Sequence, residues 1–265
     1  MKNKAILLLL VGIIVGSCAK VPITGRRQLS LVKNSEIIPA SFDQYEQVKK
    51  ESKLSEDKEQ VALVKKVGLR IQTAVEKYMN ENGWEDQLEG YEWEFNLIES
   101  DQVNAWAMPG GKVAFYTGIL PICKDELGIA VVMGHEVAHA VANHGRERIS
   151  QQTSAQYGLT AISVALGVGG TGEISREVIM QGAGAATSLG ILKFSRKHES
   201  EADHLGLIFM AIAGYDPHEA PKFWERMAEQ SGGEAPPQFM STHPSHDTRI
   251  SDLNGWIPEA MKYKK

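Results

Sequence analysis

Apolar positions recur every three to four residues between about 41 and 80. Val64, Val67, Ile71, Val75 and Tyr78 fall in step, with Lys65, Lys66 and Arg70 between them. That period predicts a helix, ended by Gly83. The period then drops to two: in "YEWEFNLI", Tyr91, Trp93, Phe95 and Leu97 alternate with Glu92, Glu94 and Asn96, the pattern of a half-buried strand. "NAWAMPGGKVAFYTG" follows as two extended runs about Pro109-Gly110-Gly111, which predicts a hairpin. Helical spacing returns from 125 to 149 and ends in Arg146, Glu147 and Arg148. Residues 157–192 are rich in Gly and Ala, but Glu173, Arg176 and Glu177 interrupt them. No run there reaches the ~20 apolar residues of a membrane span, so two helices with a break near 168–172 are expected, packed on the body or lying over the site. "KHESEADHLGLIFMAIAG" restarts a helix stopped by Gly214 and Pro217. Residues 231–237, "SGGEAPP", read as a loop, and "HPSHDTRISDLNGW" opens the last helical segment.

The N-terminus carries a different pattern. Lys2 and Lys4 precede an 11-residue apolar run, 5–15, of signal-peptide length and too short to span a bilayer comfortably. It ends in Val15-Gly16-Ser17-Cys18, which resembles a bacterial lipoprotein signal with Cys18 lipid-modified as the first mature residue. An ordinary secretory signal with an incidental cysteine is the alternative. Residues 1–17 are thus read as the signal and 18–40, with Pro22, Gly25, Arg26, Arg27 and Pro39 in no clear period, as a lipidated tether. A single domain then fills 41–265. Ala19 rather than Asp follows the cysteine, so the expected location is the periplasmic face of a bacterial cell envelope, at the outer membrane sooner than the inner. Only Cys123 remains besides Cys18, and a disulfide would need the cysteine that the lipid claims, so no structural disulfide is expected. The net charge of −5 argues against a nucleic-acid partner, which would call for a basic face. Oligomeric state is not legible.

The chemistry lies in "VVMGHEVAHAVANHGRERIS", residues 131–150. His135 and His139 stand four apart in an apolar run, so on a helix they share a face and can aim two ring nitrogens at one zinc ion. Glu136, about 100° around from His135, can take the proton of a metal-activated water. A third histidine at 145 is absent, since Gly145 stands there. His144, about 140° away from His139 on a continuous helix, reads as a solvated residue near the helix end. "SRKHESEADHLG" supplies the better third ligand. Glu199 and Asp203 are again four apart; Glu199 can ligate while Asp203 accepts the second N–H of a ligating histidine. Glu201 faces away by about 200° and reads as solvated, with ligation by Glu201 instead of Glu199 as the alternative. His198 and His204 read as surface residues.

Taken in order, Asn104-Ala105-Trp106-Ala107 with Pro109-Gly110-Gly111, His135-Glu136-Val137-Ala138-His139, Ser195-Arg196 with Glu199-Ser200-Glu201-Ala202-Asp203, and His243-Pro244 with Arg249-Ile250 resemble the M48 family of zinc metalloproteases. The resemblance spans about 60–255 and lacks the transmembrane helices of the family's integral-membrane members. It implies an α+β, mostly helical, zincin-like fold with a small antiparallel sheet and an HExxH helix. It implies one zinc on His135, His139 and Glu199, Glu136 as general base, and Asp203 in support of the site, either orienting a ligand or donating a proton. It implies that residues 104–107 form an edge to which an extended substrate adds as a strand, with Arg249 among the substrate-binding residues; ordinary packing is the alternative for Trp106 and Met108. His243 is expected to approach the zinc from the side opposite Glu136 as an oxyanion donor, or to close the open position in a resting enzyme, with His246 a bystander. The implied function is a zinc endopeptidase of misfolded or misassembled envelope proteins, held to the membrane through Cys18. A chaperone-like protein using the same cleft with little cleavage is the other reading, and a structural zinc site a third. The 157–192 stretch is expected to act as a lid.

Overall fold

The computed structural model describes residues 18–21, 24–165, 194–230, 238–243 and 248–264. Residues 166–192 of the expected lid, the loop 231–237 and His246 lie outside the described residues.

The expected tether is folded structure. β1 (Cys18–Lys20) pairs antiparallel with β2 (Arg27–Leu29), and α1 (Asn34–Glu51) begins six residues before the expected domain boundary at 40. The two strands are too short to show a period, yet this region buries apolar surface: Val21 belongs to the main core, and Ile37, Ile38 and Tyr45 of α1 are buried. The single helix expected over 41–80 is two. α1 ends at Glu51, Leu54 makes an isolated bridge to Ile98, and α2 (Lys58–Glu81) starts afresh. Asp57 marks the restart by accepting hydrogen bonds from the N–H groups of Glu59 and Gln60, which satisfies two donors that a helix start leaves unpaired.

β3 (Glu94–Ile98), β4 (Ala105–Met108) and β5 (Lys112–Tyr116) form a three-stranded sheet in the order β3-β5-β4. The β4–β5 hairpin is as expected. The sheet is mixed, however, not antiparallel, because β3 pairs in parallel with β5. β5, buried along Lys112 to Phe115, takes the centre, and β4 lies at an edge, where among the described residues one side of its backbone has no strand partner. The hairpin tip needs glycine. Gly110 and Gly111 have φ of 86° and 85°, and a Cβ on either would fall inside van der Waals contact of Phe42 or Trp93.

After the short α3 (Leu120–Cys123), α4 (Glu126–Val141) runs through the middle of the molecule, buried from Gly128 onward. From Gly128 onward its sequence is apolar all round apart from His135, Glu136 and His139, as suits a helix packed on every side. It touches α2, the edge strand β4, α6 (Arg196–Ile212) and α7 (Glu219–Gln230). α4 ends at Val141; the chain turns at Asn143, a non-glycine residue with φ of 56°, and α5 (His144–Ala165) begins beyond it. α4 and α6 cross closely. Gly134 meets Gly206 there, and a Cβ on Gly206 would sit 3.0 Å from the His135 backbone nitrogen. α8 (Gln238–Thr242) and α9 (Arg249–Ala260) follow, and α9 packs on α6 and α7. Among the described residues, no helix is long and apolar enough to cross a membrane.

Candidate metal centre and active site

The Gly134–Gly206 contact brings His135 and His139 of α4 against Glu199 and Asp203 of α6. His135, His139, Glu199 and His243 converge, each buried, with their candidate donor atoms all within 4.8 Å of one another. His135 Nε2 lies 3.1 Å from His139 Nε2, 3.5 Å from Glu199 Oε2 and 3.2 Å from His243 Nδ1. His139 Nε2 and His243 Nδ1 are 3.4 and 3.2 Å from Glu199 Oε1. A tetrahedral zinc bonded at about 2.0–2.1 Å holds its ligands roughly 3.3–3.4 Å apart, so the spacing fits one ion.

The proton assignment points the same way. His135 Nδ1 is 2.9 Å from Asp203 Oδ1, which makes Nδ1 the donor to an ionised carboxylate and leaves Nε2 with a lone pair. Arg249 Nη2 is 2.7 Å from the same oxygen, and its guanidinium stacks on Trp224 at 3.2 Å from the ring centre. Burial disfavours charge on Asp203, but Arg249 and His135 outweigh it and lower its pKa. Burial likewise opposes a charge on His135, and its bonds to Asp203 and Glu199 outweigh that and raise its pKa. A proton and a metal ion compete for that lone pair. His139 presents its Nε2 while its Nδ1 is 2.9 Å from His144 Nδ1. Lone pairs facing each other in a dry pocket repel unless a cation lies between them.

Glu136 is 1% exposed, and its Oε1 has no hydrogen-bond partner. Burial is the main cause that pushes its carboxyl up to about 7, with Glu199 adding to the rise and His243 and the Ala107 N–H opposing it. Ala107 is on the edge strand. Tyr116 N–H donates to the Asn104 carbonyl, and the register then turns Asn104, Trp106 and Met108 backbone groups toward β5. Ala105 and Ala107 turn theirs outward, and Ala107 alone of 104–107 is partly exposed. A small cavity lies beside it, lined by Ala107, Pro109, His139, Ala140, Asn143, Gly145 and Phe194.

Several expectations need correction. His243 is not opposite Glu136; its Nε2 is 3.4 Å from Glu136 Oε1, and its Nδ1 faces His135 and Glu199. Phe239 stacks on its ring at 4.6 Å, holding it inward. Arg249 is 1% exposed and bound to carboxylates, so it lines no substrate surface. Trp106 packs edge-on against Tyr45 in a separate core cluster, so its side chain serves packing. His144, Glu201 and His198 are buried rather than solvated. The break at Asn143 swings His144 back onto His139, which a continuous helix would forbid. Glu201 does face away from the cluster, but toward His144 at 3.0 Å and Arg26 at 2.6 Å. His198 stacks on His144 and lies 3.1 Å from Glu147. Arg26 and Phe194, stacked on His139 at 4.0 Å, carried no signal in the sequence because neither belongs to a periodic segment.

The Arg26–Glu147 pair has a pH signature. Burial raises the Glu147 carboxyl, but His198 and Arg26 outweigh it and hold it at about 2, below its ordinary 4.5. A depressed carboxylate stabilises the fold above its unfolded pKa and loses that contribution as pH falls through the folded one. Stability should therefore drop between about pH 4.5 and about pH 2. Urea unfolding at pH 6 and pH 3 checks this: Arg26→Met should be less stable at pH 6 and lose less on acidification. An equal acid loss in both proteins would remove the pair from the account.

Residues 66–257 match Peptidase family M48. The chain is 42% identical over 173 residues to the mitochondrial metalloendopeptidase OMA1 of Schizosaccharomyces pombe, covering 64% of this chain and 48% of that protein. It is 31% identical over 164 residues to the beta-barrel assembly-enhancing protease of Escherichia coli (60% and 33%). To the mitochondrial metalloendopeptidase OMA1 of Homo sapiens it is 27% identical over 251 residues (92% and 47%). The chain spans less than half the length of each. The expected location at a bacterial envelope, lipid-anchored on its periplasmic face, is overturned: matching relatives from two yeasts, Arabidopsis thaliana and Homo sapiens are named mitochondrial.

Proposed function

We propose that this chain, which belongs to peptidase family M48, is a metalloendopeptidase that hydrolyses peptide bonds with one zinc on His135, His139 and Glu199. One observation carries the reading: inward-facing donor atoms at ligand spacing, with a buried Glu136 carboxyl oxygen that no hydrogen bond engages beside them. A purely structural zinc site has no use for that buried acid. When bound, zinc supplies polarisation of the scissile carbonyl and acidification of a water. Glu136 takes that water's proton and returns it to the leaving amine. Asp203, behind the His135 ring, keeps the proton on Nδ1 and the lone pair toward the ion; that placement supports orienting over proton donation.

An extended substrate adds to β4 through the outward carbonyl groups of Ala105 and Ala107, past Glu136, since the Ala107 N–H already bonds Glu136. Asn104 shapes that edge, since its side-chain oxygen accepts the Ala105 N–H. Backbone pairing reads little sequence, which suits unfolded or misassembled protein chains as substrates. Cleavage of a fluorescent unfolded protein tests this against cleft binding without proteolysis. Loss of signal in Glu136→Gln supports hydrolysis, and equal behaviour of the two proteins supports binding.

His243 Nδ1 faces the same space as the donor atoms of His135, His139 and Glu199, so in this conformation it would compete with substrate for a bound ion. Removing it should leave three protein ligands and an open position. His243→Ala should keep zinc and raise kcat/KM on the unfolded substrate. A fall of roughly 10²-fold would instead assign it the oxyanion role.

A further inference from the structure

His135 and His139 are both held from behind, but by different means. Behind His135 stands a carboxylate, Asp203, fixed by Arg249. Behind His139 stands a second imidazole. His139 Nδ1 is 2.9 Å from His144 Nδ1, and His144 Nε2 is 3.0 Å from Glu201 Oε2. Glu201 is bound in turn by Arg26 Nε at 2.6 Å on the same oxygen and by the Thr24 hydroxyl on the other. The remaining Arg26 nitrogens reach Glu147, at 3.0 and 2.7 Å.

Proton roles along this row run in one direction only. An ionised Glu201 accepts and cannot donate, so His144 Nε2 carries the proton. A neutral His144 then offers a lone pair at Nδ1, and His139 Nδ1 must donate to it. That places the lone pair of His139 on Nε2, the atom facing His135 and Glu199. The His144 ring is 0% exposed and stacks on His198 at 4.5 Å, so it has little room to turn and reverse the order.

We propose that His144, Glu201 and Arg26 form a positioning chain for His139, which makes the β1–β2 end of the molecule a working part of the metal centre. The inference rests on His139 being a zinc ligand, as argued above. It gives the centre two arms of like logic: histidine to carboxylate to arginine for His135, and histidine to histidine to carboxylate to arginine for His139. The first arm is anchored in α9, the second in the connection between β1 and β2. Thr24, Arg26 and Glu201 lie up to 177 positions apart in the chain, so closing the second arm requires both ends of the fold to be in place.

The test uses the full chain and zinc alone. The zinc dissociation constant is measured by chelator competition for wild type, His144→Phe, Glu201→Gln and Arg26→Gln, beside the melting temperature of each metal-free protein and the visible spectrum of each cobalt form. His144→Phe keeps a ring against His198 but breaks the row, and should weaken zinc about 10- to 100-fold. Glu201→Gln should weaken it less, and Arg26→Gln least, with Arg26→Lys recovering part of the loss. The cobalt spectrum should shift in the same order, because it reports the orientation of the ligating ring. If His144→Phe does not fold, Arg26→Gln decides, since the Arg26 side chain lies at the rim and is 23% exposed. Variants that melt lower when metal-free but bind zinc and colour cobalt as wild type does would make the row structural and overturn the inference. A wild-type chain that binds no zinc, or holds it equally after His139→Ala, would instead refute the ligand assignment.

Discussion

Replacing Glu136 by Gln should lower kcat by about 10²- to 10⁴-fold, the usual contribution of a positioned general base, with zinc still at one per chain. The amide keeps the size of the buried acid but cannot take a proton. Its carboxyl makes no bond to the four clustered donors apart from the 3.4 Å approach to His243, so the donors should stay where they are. Zinc content by mass spectrometry and single-turnover cleavage are read on the same sample. Lost zinc with lost activity would turn Glu136 into a ligand or a structural acid. Full activity with full zinc would remove it from the reaction.

Glu199→Ala should have the opposite signature. Its carboxylate is 0% exposed, and its two oxygens face all three histidines. Without it the zinc affinity should fall by more than the roughly 10- to 100-fold that loss of an outer partner brings, and activity should go with the metal. The fold should persist, because Arg249 keeps its 2.7 Å bond to Asp203. Equilibrium dialysis against zinc decides it. Undiminished occupancy would hand the ligand role to another group. Glu201 is ill placed to take it, since both its oxygens are engaged by Thr24, Arg26 and His144.

What could be read from the chain was what local geometry determines. His135 with His139, and Glu199 with Asp203, are pairs four apart, and a helix of any surroundings puts each pair on one face. The hairpin at Pro109-Gly110-Gly111 was legible for the same reason: its two glycines hold positive φ, which few other residues do. The sheet was legible only in part. Alternation fixes which face a side chain takes but not which strand lies alongside, so the parallel pairing of β3 with β5 stayed hidden. His144 was misread because a rotation of 100° per residue applies only while the helix continues. Asn143 tolerates the left-handed turn better than most residues, and an asparagine after an apolar run was the one signal available. Arg26 and His243 reach the centre across more than a hundred positions, and no periodicity encodes such a meeting.

The glycine-to-glycine crossing of α4 and α6 also acts as a fulcrum. A small rocking of one helix on the other displaces each residue in proportion to its distance from the contact. At about 1.5 Å per residue, His135 sits beside the pivot and Asp203 about 4.5 Å along its helix, while His139 is about 7.5 Å out and Glu199 about 10.5 Å. A 5° tilt would therefore move His135 by about 0.1 Å and Glu199 by about 0.9 Å, more than the roughly 0.5 Å a working site tolerates. Stiffening is needed at the long end of each lever, and both long ends have it. Arg249 and His243 steady Glu199, and Ser195 caps the turn that carries it. His144 steadies His139. Loosening the contacts around α9 should thus misplace the carboxylate ligand well before it disturbs the histidine at the pivot.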